Sequence, residues 1–198
     1  MKELIAISTA VLALTTGGVS AGTANSSTAV QTQVVEPAHT RGEHISVALI
    51  HAEELRAEAQ AVFLHQQEIQ ANTDRMAAAI KKLKGYVGKT WYVFSGATPQ
   101  GWDCSGLVMW TYEQLGITLE HRASKQIDAG TKVTEPKVGD IVAFTYNGSK
   151  SAYHVGIYIG DGKMIHAPKH GHVTRVEDVI TFAGDYSKVT YVRIIETN

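Results

Sequence analysis

The 198-residue sequence holds a single cysteine, Cys104, which excludes an intrachain disulfide framework and any multi-cysteine zinc site. Neither sign of charge is in excess: 18 Lys and Arg against 19 Asp and Glu give a formal charge of −1. Without a basic surplus there is no electrostatic footprint for nucleic acid or for an anionic membrane, so no nucleic-acid partner is expected. No internal repeat is visible. What is present is 44% hydrophobic and 19% charged residues, a balance that supports a packed core and argues against a largely disordered or coiled-coil chain.

The amino terminus has the three-part layout of a secretory signal peptide over residues 1–21. Lys2 opens it, residues 4–14 are apolar, and Val19-Ser20-Ala21 supplies small residues at a cleavage site. Glu3 offsets Lys2 and no charge follows through Val35, which leaves an uncleaved anchor as the alternative. However, the run beyond Leu14 is Ser, Thr and Gly, too polar for the ~20 apolar residues of a spanning helix. Cleaved export is the expectation, with no stable membrane insertion afterwards and a secreted or cell-wall-associated product. Export makes the lone cysteine notable, because an unpaired exported thiol suggests reactivity or intermolecular pairing. A buried, inert cysteine is the bland alternative.

Residues 22–42 are rich in Ser, Thr, Gln and Ala and read as a flexible linker. Residues 44–84 contain no Gly or Pro and favour helix, with a thin apolar stripe through Ile45, Leu49, Val62, Ile69, Met76, Ile80 and Leu83. Asn72-Thr73-Asp74 offers a cap for a separate helix from about Arg75, ended by Gly85. The expected division is therefore a helical segment over 43–73 and a domain over 74–198. The upstream histidines, His39, His44, His51 and His65, include no i, i+4 pair and read as solvated. After Gly85, β-branched runs at 141–144, 155–159 and 189–195 alternate with glycine-bearing turns, and helices are expected at 104–115 and 123–129. Helices followed by a run of strands predict an α+β fold with an antiparallel sheet.

Cys104 sits in GWDCSGLVMWTYEQLG, flanked by Asp103 and Ser105, immediately before an apolar-periodic stretch. That places the sulfur near a helix N-terminus, where free amides and the macrodipole favour a thiolate. Such a nucleophile needs an imidazole to shuttle its proton. The segment AYHVGIYIGDGKMIHAP supplies two, His154 and His166. With a three-residue loop, Ile159 opposes Lys163, Ile157 opposes Ile165 and Gly156 opposes His166. His154 and His166 then share one face, opposite Val155, Ile157 and Ile165. A two-residue Asp-Gly loop would pair His166 with Ile157 and split both faces, so the hydrophobic pattern selects the longer loop. A metal site at His166, His170 and His172 is the competing reading, and no carboxylate is spaced among them to support it.

Taken in order, the blocks WYVFSGATPQGWDCSGLV, PKVGDIVAF and HVGIYIGDGKMIHAP, with their cysteine–histidine–histidine order, resemble the NlpC/P60 family of papain-like cysteine peptidases. The resemblance covers residues 75–195. It implies a papain-like domain with an antiparallel sheet packed against N-terminal helices, no cofactor, and peptidoglycan stem peptides as substrate. By resemblance, Cys104 is the nucleophile, His154 the general base, and His166 the residue that orients the base. Tyr92 matches the family tyrosine beside the oxyanion. Asp103 and Ser105 are implied contacts for the stem peptide's amino end, with structural capping as the equal alternative. The family usually cuts between D-glutamate and diaminopimelate or lysine. Phe94-Ser95-Gly96 departs from the Trp-Gly-Gly run common in the family, which implies a different cleft wall. Two other activities fit the same residues: an amidase or acyltransferase on this scaffold, and a non-catalytic wall-binding domain.

Overall fold

Helix α1 runs unbroken over His39–Lys84 in this computed structural model, which describes residues 39–198. The signal peptide and most of the linker fall outside the described residues. Residues 43–84 contain neither Gly nor Pro, so nothing interrupts the hydrogen-bond ladder. The helix starts at His39, inside the expected linker. The expected cap at Asn72-Thr73-Asp74 does not form. Thr73 Oγ1 instead donates to the Ile69 carbonyl at 2.8 Å, Gln70 Nε2 donates to Asp74 at 3.0 Å, and Arg75 donates to Asn72 Oδ1. Each polar side chain thus finds a partner one turn away, and helix propensity overrides the local stop signal.

Residues 39–47 belong to one unit and residues 48–198 to another; everything below concerns the second. Within it, Leu49, Leu55, Val62, Phe63 and Leu64 of α1 are exposed, whereas Met76, Ala79, Ile80 and Leu83 are buried at helical spacing. The chain continues through β1 (Ala97–Thr98) and β2 (Gly101–Trp102) into α2 (Cys104–Glu113) and the short α3 (Ala123–Gln126). Then come β3 (Thr131–Val133), β4 (Ile141–Tyr146), β5 (Ala152–Gly160), β6 (Lys163–His166), β7 (Arg175–Asp178), α4 (Val179–Ala183) and β8 (Ser187–Arg193). The last six strands form one antiparallel sheet in the order β3-β8-β4-β5-β6-β7, the α+β arrangement expected.

Strand alternation gives the sheet two distinct faces. Ile141, Ala143, Val155, Ile157 and Ile165 pack with Leu107, Val108 and Tyr112 of α2 and with Met76, Ile80 and Leu83 of α1. Val142, Phe144 and Met164 face the other way, against Val179 and Ala183 of α4. The β5–β6 hairpin keeps the expected pair Ile157↔Ile165 but by a different device. Its turn is the two-residue Asp161-Gly162, with φ of 51° and 70°, and Gly160 rather than Ile159 opposes Lys163. Positive φ at both central positions suits the right-handed twist of the strands. A register shift between Tyr158 and Gly160 leaves Ile159 as the extra residue of a bulge, which restores the alternation that a bare two-residue turn would break.

Candidate active site

Cys104 is the first residue of α2. Asp103 caps that helix, its Oδ1 accepting the Gly106 amide at 2.8 Å. The helix end is pressed against the preceding loop: Asp103 N–H donates to the Gly96 carbonyl at 3.0 Å, and a Cβ on Gly106 would collide with that same carbonyl oxygen. Only glycine permits this approach, and it fixes where the helix N-terminus points. The Cys104 sulfur is half-buried, and the backbone amides of Val155 of β5 and of Ser105 act on it to favour the thiolate. Val155 directly follows His154, so the fold sets the thiol beside the histidine's own peptide unit.

His154 is 4% exposed and His166 is fully buried. His154 Nε2 lies 2.7 Å from His166 Nδ1, and His166 Nε2 lies 3.0 Å from Glu177 Oε2. Phe182 of α4 covers both rings, at centroid distances of 4.7 and 4.8 Å. Burial pushes His154 down to about 3, aided by His166 and opposed by Asp103. Burial and the Arg175 guanidinium push His166 down to about 3 as well. The thiol moves the other way: burial raises Cys104 to about 11 against the Val155 amide, which favours the thiolate. Burial thus favours the neutral form of the thiol and of both rings.

Tyr92 and the cap residues complete the surroundings. Tyr92 bridges to Trp102, and its amide donates to the His172 carbonyl at 2.9 Å. Its phenol is raised above its ordinary value by burial and then by the fields of Cys104 and Asp103, so it lies within electrostatic reach of both. Asp103 accepts from Ser95 N–H at 3.0 Å, Ser105 Oγ at 2.9 Å and His121 Nε2 at 2.9 Å, besides Gly106. Burial works against its charge, but the Gly106 amide, His121 and Ser105 outweigh that and hold the carboxyl below its usual range. Asp103 is thus the helix cap, and the Ser105 hydroxyl holds its carboxylate.

The structure brings Cys104, His154, His166, Tyr92, Asp103 and Ser105 into one locality. His172 adjoins it through the carbonyl that accepts the Tyr92 amide. His172 Nδ1 lies 3.3 Å from the His170 carbonyl, while both ring nitrogens of His166 have other partners. Among the described residues no three His, Cys, Asp or Glu side chains are grouped to hold a metal. Sequence reasoning missed His121, Arg175, Glu177, Phe182 and Gln126, whose Nε2 donates to the Ser105 carbonyl and ties α3 to α2. The one legible signal among them was Arg175-Val176-Glu177, two charges on the same face of a short strand.

The model of the NlpC/P60 family matches residues 88–196. The bifunctional muramidase/DL-endopeptidase CwlT of Bacillus subtilis is 38% identical over 108 residues, 52% of this chain and 32% of the relative. The peptidoglycan endopeptidase RipA of Mycobacterium tuberculosis is 40% identical over 89 residues, 44% of this chain and 18% of the relative. The crystal structure of the NlpC/p60 domain of peptidoglycan hydrolase SagA superposes with a TM-score of 0.52 at 35% identity, covering 60% of this chain and 98% of that domain. The chain spans between 18% and 32% of the length of these two curated relatives.

Proposed function

The chain belongs to the NlpC/P60 family, and from that premise we propose that it hydrolyses stem-peptide bonds of bacterial peptidoglycan, with Cys104 as nucleophile. The bond is the one between D-glutamate and diaminopimelate or lysine. The protein works outside the cytoplasm, consistent with the export signal read at residues 1–21. The observation that carries the proposal is the buried His154–His166 pair, with ring nitrogens 2.7 Å apart, on the strand whose Val155 amide acts on the Cys104 thiol.

In the reaction the thiol S–H bond breaks as its proton passes to His154, and the sulfur adds to the peptide carbonyl. The oxygen that gains charge lies near the start of α2, where backbone N–H groups and the Tyr92 hydroxyl are the available donors. The C–N bond then breaks and the amine leaves with the proton from His154. Water attacks the thioester, gives its proton to His154, and releases the acid while the thiolate recovers that proton. Burial of the resting pair suits this sequence, because charge appears only in the step that needs it. His166 orients the base. Asp103, fixed by four hydrogen bonds at the helix end, presents negative charge toward the amino end of the stem peptide.

Digestion of purified peptidoglycan followed by mass analysis tests the proposal. Stem-internal fragments are the expected products, and Cys104→Ala should lower their rate on the order of 10⁴–10⁶-fold. Release of whole stems would establish an amidase instead. Unchanged cleavage by the Cys104→Ala protein would overturn the cysteine-nucleophile mechanism.

A further inference from the structure

We infer that Glu177 is a positioning residue that sets the ring tautomers of His166 and His154 and so leaves His154 Nδ1 bare to receive the thiol proton. The inference rests on the reading of Cys104 and His154 as nucleophile and base. It follows from counting protons along a line of buried groups. A neutral imidazole has one N–H and one lone pair, and a carboxylate can only accept.

Glu177 is ion-paired with Arg175, whose guanidinium reaches Oε2 at 2.8 and 3.0 Å. The register of β6 with β7 pairs His166 with Arg175 and Met164 with Glu177, so both charged side chains lie on the histidine face of the sheet. His166 Nε2, 3.0 Å from that carboxylate, must carry the proton. Its Nδ1 is then a lone pair, so the 2.7 Å contact is donated by His154 Nε2–H. His154 Nδ1 is left unprotonated. With both rings neutral, the form their burial favours, any other assignment puts two lone pairs or two N–H groups face to face at one of these contacts. When His154 becomes an imidazolium, the same line places the Glu177 carboxylate two hydrogen bonds away to stabilise it.

Glu177→Leu tests this by removing the acceptor at similar size. The contact from His166 Nε2 to Oε2 is lost and the Arg175 N–H groups remain as the polar neighbours. His166 Nε2 then becomes a lone pair, its proton moves to Nδ1, and the His154 proton moves to Nδ1, where it blocks the base. Glu177→Gln is the conservative control, because Arg175 and His166 both meet the one oxygen Oε2 and an amide oxygen there still accepts from both. With ¹⁵N-histidine in the full chain, long-range ¹H–¹⁵N NMR should show Nε2–H tautomers on both rings of the native protein and of the Gln variant. The Leu variant should show Nδ1–H on His154, with kcat toward a synthetic γ-D-glutamyl-L-lysine stem peptide reduced on the order of 10–100-fold and KM unchanged. A Leu variant that retains the Nε2–H tautomer and native kcat would overturn the inference. The NMR readout needs no turnover. Activity surviving in His154→Ala would therefore overturn the underlying assignment of the base, distinguishably from failure of the Glu177 role.

Discussion

Truncation within α1 tests how the domain is held together. A chain beginning at Ala71 should fold, and one beginning at Gly85 should not. Met76, Ile80 and Leu83 are 2%, 4% and 0% exposed, in one cluster with Leu107, Tyr112 and Ile157. Fully burying a side chain of this kind stabilises by roughly 1.5–3 kcal/mol, so the three together contribute about 5–9 kcal/mol. That matches or exceeds much of a typical net stability of about 5–15 kcal/mol. The Gly85 start also deletes Thr73, whose hydroxyl takes the Asn198 amide at 2.9 Å. By contrast, residues 53–68 of α1 are exposed, and their removal uncovers little apolar surface. Urea unfolding followed by tryptophan fluorescence is a suitable assay, since Trp102 and Trp110 both pack edge-on against Tyr86. A Gly85 chain unfolding cooperatively at the same midpoint as the Ala71 chain would refute this account of the core.

Acidification should weaken the fold early. His154 and His166 stay neutral when folded, mainly through burial, but take protons near their ordinary values when unfolded. Between about pH 6.5 and 5 the unfolded chain therefore binds more protons, and stability should fall by up to about 1.4 kcal/mol per pH unit for each histidine. A flat stability profile over that range in urea titrations would contradict the neutral pair; the acid limb of kcat/KM should likewise lie below 6.5. Ser95 has φ of 58°, and its contribution to the site is its backbone N–H to Asp103 rather than its side chain. Ser95→Gly should thus raise stability by ~0.5–1.5 kcal/mol in calorimetry, and a lowered Tm would show that the serine side chain matters there.

Much of the site was legible because it depends on short-range rules. Helix capping put Cys104 at the start of α2, and strand alternation put His154 and His166 on one face. The hairpin shows the limit of such reasoning. The pairing Ile157↔Ile165 followed from hydrophobic pattern, but the pattern cannot distinguish a three-residue loop from a two-residue turn with a bulge. The unbroken course of α1 was missed for a related reason, since a cap residue inside a long helix-favouring run finds intrahelical partners. The partners that Glu177 and His121 meet were out of reach. One depends on the register of β7, and the other on a loop that brings residue 121 back to the start of α2.

The bulge at Ile159 also bears on how such a hairpin can change length over generations. Gly160↔Lys163, Tyr158↔Met164 and Ile157↔Ile165 are all paired, and Ile159 alone between them is not. Losing Ile159 shortens the interval between the two histidines by one residue while every remaining pair keeps its partner and its side of the sheet. Losing a residue between His154 and Ile157 changes parity instead, and turns one histidine away from the other. The interval of 12 positions separating the pair is therefore not a ruler. A gap is harmless at one place in the hairpin and fatal beside either histidine, so descent can alter the loop end freely only where the ladder does not count.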